Sequence, residues 1–474
     1  MPRRTRIVAT LGPATDRAGV LEALLEAGLD MARLNFAHGE PEEQLIRLAR
    51  LRQVTQRCGR QVGVLADLPG PKLRALVPAE MVLQRGREVA FAAAPGVSAE
   101  IGVTEPELIR MVQPGQRILL DDGRLQLRAV RLEGDRLLAR VEAPGALLPN
   151  KGVNVPDTTL NIPALTPRDH AALHTAARAG VDWLALSFVR SAEAAKELRQ
   201  AARSLGLNVP ILAKIERPEA VQRSREIIEA FDGIMVARGD LGVEIPLERV
   251  PQVQKRLIHQ ARNAGKPVLT ATDMLDSMRH NPRPTRAEAS DVANAIYDGT
   301  DAVMLSGETA IGQYPVEAMQ AMDRIVRETE PHLKSEGWDV LVPRESVVEQ
   351  ITQGACALAQ VVEAKAIVAP TYSGKTSQLV SRYRPRARII APVGSEAVMR
   401  QMMFYWGVTP LLLRESKNPG EDRLQAGVLA AFTQGQVHVG DLVVVLAGHP
   451  IEGGERVPTI RVVRIGEGGR SLPP

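Results

Sequence analysis

Residues 210–220 read PILAKIERPEA, an apolar run that ends by acquiring an ammonium at Lys214 and a carboxylate at Glu216. In an extended strand, side chains two apart share one face. A segment with the composition of a buried strand therefore aims two opposite charges the same way. A strand end emerging into solvent gives that pattern, with a screened ion pair that contributes little. An active site gives it too, and the rest of the chain has to decide.

Short apolar runs of the same kind recur through the first two-thirds of the chain. They are TRIVATLG (5–12), MARLNF (31–36), VGVLADL (62–68), DWLALSF (182–188), PILAKIE (210–216), GIMVARGD (233–240), PVLTATDM (267–274) and AVMLSGET (302–309). Most are separated by amphipathic helical stretches such as PEEQLIRLARLRQVTQR and TPRDHAALHTAARA. Alternating strand and helix imply a parallel sheet, and eight units are what a closed (β/α)8 TIM barrel requires. One interval is far too long for a single helix. Residues 71–155 hold short alternating runs with turn signals and read as an inserted all-β lid, entered through LPGPK and left through KGVNVPDTTLNIP. After residue 335 the alternation restarts, which predicts a C-terminal open α/β domain over 336–474. The barrel is then 1–70 and 156–335.

The chain has 474 residues, 45% hydrophobic and 24% charged, ordinary globular usage for two or three domains. No stretch approaches the roughly 20 apolar residues that span a bilayer, and the N-terminus enters a strand with no apolar leader, so no membrane partner is expected. Two cysteines, Cys58 and Cys356, without metal-type spacing fit a reduced cytoplasmic protein lacking structural disulfides or zinc. The net charge of +4 comes from 59 basic and 55 acidic residues intermixed, and aromatics make up only 3%. Stacking platforms for nucleic acid are therefore scarce, and the basic excess suits solvated faces and an anionic small molecule.

In a (β/α)8 barrel the site lies at the C-terminal ends of the strands. Those ends carry Arg33 and Asn35, Asp67, Ser187, Lys214 and Glu216, Arg238 to Asp240, Thr272, and Ser306 to Glu308. Scattered solvated charges do not converge on one mouth from seven strands. Glu216 and Asp240 end adjacent strands, and two carboxylates completed by water and substrate oxygens suit Mg2+ or Mn2+. Arg33, Lys214 and Arg74 add the cation density that a phosphate ester needs. ARGDLGVE offers a glycine turn whose N–H groups can face an anion. Together these describe phosphoryl transfer on a carboxylate-bearing substrate.

At these residues the sequence resembles the pyruvate kinase family. TRIVATLGPAT, MARLNFAHG, LPGPKLR, KGVNVP, LALSFVR, AKIERPE, DGIMVARGDLGVE, GKPVLTATDMLDSM, PRPTRAEASDVANAIYDGTDAVMLSGETA and RYRPRARII occur in the family's order over nearly the whole chain. The resemblance implies a cytoplasmic homotetramer in which phosphoenolpyruvate and ADP give pyruvate and ATP, the last step of glycolysis. It implies that Lys214 neutralises the transferring phosphoryl group and the developing enolate, and that Glu216 and Asp240 hold the divalent metal. Arg33 contacts the phosphoryl group, oriented by Asn35 and Asp67. Backbone groups of Gly239 and Asp240 bind the substrate carboxylate with the Thr272 hydroxyl, and Thr272 lies on the face where the enolate is protonated. Arg74, Lys151 and His38 reach the nucleotide phosphates, with Asn35 beside them, as the lid closes.

Two further expectations follow from the resemblance. Many members bind K+ through NFSHG and DTKGPE, where this chain reads NFAHG and DLPGPK. Ala37 removes a hydroxyl ligand, Leu68 replaces a threonine, and Lys72 puts a fixed ammonium near Asn35 and Asp67, so K+ is not expected to be required. In TYSGKTSQLVSRYRP, SGKT invites a P-loop reading, but Ala369 stands where that motif needs glycine. The resemblance instead matches Thr371, Ser373, Gly374, Lys375 and Thr376 to a loop for a phosphorylated allosteric effector. No phosphotransfer domain is expected after GEGGRSLPP. Another phosphoenolpyruvate-type barrel, a mutase or aldolase, has no use for a lid bearing Lys151. A catalytically dead regulatory homologue would have lost one of Lys214, Glu216, Asp240 or Thr272.

Overall fold

A computed structural model of the chain describes residues 3–96, 99–333, 346–413, 423–450 and 456–474. The expected junction at 335/336 lies outside the described residues. Eight strands close into a parallel barrel: β1 (Arg6–Thr10), β2 (Met31–Asn35), β3 (Gly63–Leu68), β4 (Trp183–Leu186), β5 (Ile211–Ile215), β6 (Gly233–Ala237), β7 (Val268–Ala271) and β8 (Ala302–Leu305), with β8 pairing back onto β1. Each falls within one of the eight apolar runs read from the sequence.

Alternation sorts the strand side chains into two sets. Ile211, Ala213 and Ile215 of β5 face outward into the same core layer as Leu24, Leu51 and Leu173 of the surrounding helices. Leu212 points into the bore, among Met31, Leu65, Trp183, Met235 and Leu269. Two more residues along β5 in the same direction bring Lys214, and two more bring Glu216. The bore is apolar at its base and charged at its rim. Sequence-local devices start the helices that hold this geometry. Thr166 caps the helix Pro167–Ala179 through a reciprocal bond with Asp169, and Thr285 does the same with Glu288 for the helix Arg286–Tyr297. Losing such a cap costs about 1 kcal/mol.

Between β3 and the helix Pro167–Ala179 the described residues build a seven-stranded sheet and a separate two-stranded one, Met81–Leu83 with Gly145–Leu147, alongside a short helix, Leu108–Met111. The two crossings into this lid run beside each other. Arg74 bridges Gly152, the Ala75 N–H donates to the Lys151 carbonyl at 2.8 Å, and the Val153 N–H donates to the Leu73 carbonyl at 2.9 Å. Both crossings are tied to the barrel. Asp169 Oδ1, in the helix that follows the lid, accepts from Gly70 N at 2.8 Å. Glu244 Oε1 accepts from Asn154 Nδ2 at 2.7 Å and from Arg217 at 2.6 Å.

The C-terminal sheet orders its strands as Val408–Leu412, Arg388–Val393, Ala366–Val368 and Leu442–Pro450, all parallel, then Arg456–Ile465 and Ser471–Leu472 antiparallel. This unit closes the base of the barrel. Trp183, fully buried in the bore, packs against Phe404 with ring centroids 4.9 Å apart, and its indole N–H donates to the Gln401 carbonyl at 2.9 Å. The neighbouring Asp182 takes Arg400 at 2.9 Å and Arg52 at 2.8 Å. Among the described residues, no helix is long and apolar enough to cross a membrane.

Candidate active site

Register decides which side chains meet at the open end. Asn35 lies opposite Asp67 between β2 and β3, Asp67 opposite Ala185 of β4, and Leu186 opposite Ala213 of β5. Lys214 is thereby set beside Asp67, with Nζ 3.3 Å from Oδ1. The same ammonium lies 3.0 Å from Glu216 Oε1 and donates to Ser187 Oγ at 2.7 Å. Arg33 completes the group, with Nε donating to Asp67 Oδ2 at 2.7 Å and Nη1 donating to Thr10 Oγ1 at 3.0 Å. Burial pushes the Lys214 ammonium toward neutrality, but Asp67 and Glu216 outweigh it and raise its pKa. Burial likewise pushes Asp67 up, and Lys214 and Arg33 hold it below the usual carboxylate range. Both therefore stay charged at neutral pH.

Glu216 behaves differently. Its carboxylate is fully buried. Oε2 accepts the Phe188 N–H at 2.7 Å, and Oε1 pairs with the Lys214 ammonium at 3.0 Å. Burial raises its pKa, Lys214 lowers it, Asp240 raises it again, and the net direction is upward. Lys214 offsets part of the cost of burying this carboxylate beside Asp240, and the net upward shift shows that the two carboxylates together still favour a further cation. The donor set therefore fits a divalent ion. Among the described residues no group of three or more His, Cys, Asp or Glu could hold a metal ion, so oxygens from outside the chain would complete the coordination.

Gly239 and Asp240 lie in the first turn of a helix, Arg238–Glu244, rather than in a turn. The Gly239 N–H donates to Thr272 Oγ1 at 2.7 Å, and that hydroxyl donates to the Ala271 carbonyl at 2.6 Å. Thr272 and Asp273 sit at φ +68° and +54°, and Phe188 at +54°. Such values are strained for side chains of this kind, and strain of this sort persists where surrounding structure over-determines the backbone. Arg238 supplies part of that restraint. Its guanidinium donates to the Thr272 carbonyl at 2.7 Å and pairs with Asp291 at 2.6 Å, so it braces the loop instead of facing the mouth. Glu308 is also turned inward, accepting from Leu275 N at 3.0 Å and Ser306 N at 2.7 Å.

Several expected partners differ. Asn35 accepts from Ala37 N at 3.1 Å and is not among the groups orienting Arg33; Thr10 takes that place. Lys72 reaches the mouth, where Nζ lies 3.5 Å from Asp240 Oδ1, and pairs with that carboxylate rather than with Asp67. Lys151 pairs with Asp121 of the lid at 2.7 Å, and Arg74 donates to the Asn150 carbonyl at 2.8 Å. His38 lies in the same field. Loss of solvation, then Arg74, Arg33, Lys72 and Arg168, lower its pKa and keep the imidazole neutral. In the C-terminal unit, Gly374 starts the helix Lys375–Arg382 in a left-handed conformation and donates to Thr371 Oγ1 at 3.0 Å. That loop belongs to a different sheet from the barrel mouth.

Sequence reasoning missed Thr10 and the Phe188 N–H. Thr10 was accessible: it ends β1 two residues after Val8, which faces the bore. The Phe188 bond depends on a left-handed backbone that no residue type announces. Ser187 was recognised only as a polar strand end.

Comparison with known proteins agrees with this geometry. A sequence model of the pyruvate kinase barrel domain matches residues 2–319, and one of the pyruvate kinase alpha/beta domain matches residues 349–463. A pyruvate kinase of Geobacillus stearothermophilus is 46% identical over 465 residues, covering 95% of this chain and 78% of the relative. Those of Methylorubrum extorquens and Clostridium acetobutylicum are 41% and 39% identical, and the match covers 94% and 96% of their lengths. With a closed barrel, an inserted β lid and a C-terminal α/β unit matched along 95% of its length, the chain belongs to the pyruvate kinase family and transfers a phosphoryl group from phosphoenolpyruvate to ADP with a divalent metal.

Proposed function

We propose that Lys214, Arg33 and Thr272 carry this transfer, with Glu216 and Asp240 holding Mg2+ or Mn2+. The observation that carries the assignment is the fully buried Glu216 carboxylate facing the charge of Asp240, with the Lys214 ammonium 3.0 Å away on its other side. When bound, the ion supplies positive charge to phosphoryl and enolate oxygens. Lys214, held charged by Asp67 and Glu216, and Arg33, paired with Asp67, present donors to the phosphoryl group as it leaves one oxygen for another, the preorganised electrostatics such reactions depend on. The Gly239 N–H and the Thr272 hydroxyl exchange their mutual bond for the substrate carboxylate, and Thr272 borders the face where the enolate gains its proton. Arg74, Lys151, His38 and Asn35 bind the nucleotide phosphates. Lys72, paired with Asp240, takes over the charge of the monovalent cation that Asn35 and Asp67 would help to hold, so K+ is not needed.

The reading extends to the whole chain. The barrel comprises 1–70 and 156–335, the lid 71–155 and the regulatory domain 336–474. The protein works as a cytoplasmic homotetramer, and the Thr371–Thr376 loop receives a phosphorylated effector. Hydroxyls and N–H groups at a helix start support that assignment.

Binding of Mn2+ followed by electron paramagnetic resonance tests the metal site without relying on turnover. Glu216→Gln should weaken binding by about tenfold or more, since even residues behind a ligand cost that much. In the native protein the affinity should rise with pH, because metal and proton compete for Glu216 and its raised pKa keeps the proton on at low pH. An affinity unchanged by the substitution and flat with pH would move the metal elsewhere.

A further inference from the structure

An ammonium has three N–H donors and no preferred plane, so a lysine held only by charge is poorly aimed. Around Lys214 Nζ, Glu216 Oε1 at 3.0 Å and Asp67 Oδ1 at 3.3 Å supply charge. Ser187 Oγ at 2.7 Å is the shortest contact, and the Lys214 N–H it accepts is a directed bond. Ser187 is itself constrained. Its hydroxyl donates to the Leu68 carbonyl at 2.7 Å, which turns its lone pairs toward the ammonium. Its main chain is wedged against the first lid crossing: a side chain on Gly70 would meet the Ser187 carbonyl oxygen at 2.7 Å and its Cβ at 3.0 Å. The residue is buried and has no free rotation to spend.

We infer that Ser187 is a positioning residue for phosphoryl transfer: its hydroxyl, fixed by Leu68 and by the close approach of Gly70, sets where the Lys214 ammonium and its positive charge stand at the mouth. The inference rests on Lys214 acting in the reaction. It also gives the lid a physical connection to the lysine, because Gly70 stands at the start of the first crossing and Leu68 ends β3 just before it.

The test is a set of four proteins: native, Ser187→Ala, Lys214→Met, and both together, each assayed for kcat and for KM with phosphoenolpyruvate. Removing a hydrogen bond to a charged group corresponds to about a 10- to 100-fold effect. Ser187→Ala should lower kcat by about that factor and shift KM by less than about threefold, because the bond matters most where charge develops. In the Lys214→Met background the same change should alter kcat by less than about twofold, since nothing remains to be aimed. Equal losses in both backgrounds would make Ser187 merely structural, and an unchanged kcat in the single variant would remove the role outright. If Lys214→Met itself keeps near-normal turnover, the assignment of Lys214 fails first and this inference fails with it. Should Ser187→Ala not fold, Ser187→Cys, similar in size but a weaker acceptor, takes its place in the same set with the same expectations.

Discussion

At the scale of single residues, charge at the mouth is distributed so that Asp67, Glu216 and Asp240 each have an ammonium or guanidinium in reach. Asp67 is shared by Arg33 and Lys214, Glu216 lies beside Lys214, and Asp240 lies beside Lys72. Lys72 is the residue on which the monovalent-cation expectation turns. Its ammonium lies beside Asp240, and on the proposed reading it supplies the charge that a monovalent ion would otherwise bring. The native protein should therefore reach full turnover with Mg2+ in buffer free of Na+ and K+, with little stimulation by KCl. Lys72→Glu should cripple turnover without strong rescue by KCl, because Ala37 offers no hydroxyl ligand. A large KCl activation of the native protein would return Lys72 to a surface role. The residue types were legible in the sequence because polar groups end strands at a known end of the barrel. Their pairings were less so. Lys72 meeting Asp240, and Asn35 turning back to the Ala37 N–H, depend on loop conformations with no periodic signature.

At the scale of elements, two-residue alternation does most of the organising. It puts Leu212 in the apolar base and Lys214 at the rim of one strand, and it puts Trp183 in the bore of its neighbour. Alternation is visible in sequence, which is why all eight barrel strands are legible in the order of residues alone. The helix Arg238–Glu244 is not, because its glycines argue for a turn and its helicity is set by the barrel around it. The junction at the barrel base is equally illegible: nothing in DWLALSF says that its tryptophan meets Phe404 from a segment more than 200 positions later. Trp183→Ala should destabilise the protein by about 3–5 kcal/mol through the cavity it leaves. Trp183→Phe keeps an aromatic ring and loses the bond to Gln401, which should cost about 1 kcal/mol more than a purely apolar exchange. Equal losses for both substitutions in thermal unfolding would show that the ring contributes nothing to closing the base.

At the scale of the whole molecule, the two cysteines report separately on the architecture. Cys58 is exposed at the end of a barrel helix, while Cys356 is buried in the C-terminal unit, where burial pushes its thiol pKa far above the ordinary value. A thiol reagent at neutral pH should therefore label one cysteine per folded chain and two after denaturation, since the thiolate is the reactive form. Fast labelling of both in the folded protein would contradict the packing of the helix Val347–Val361. On the proposed reading the barrel mouth serves one chemical event, the transfer of a phosphoryl group past Lys214, while the C-terminal unit closes the opposite end of the bore. The most direct measurement is pyruvate formation from phosphoenolpyruvate, ADP and Mg2+ by the native protein and Lys214→Met side by side. The native protein should turn over, and the variant should be slower by about 10²-fold or more with phosphoenolpyruvate binding much less affected. Native protein that forms no pyruvate, or a Lys214→Met variant that forms it at the native rate, would contradict the central claim.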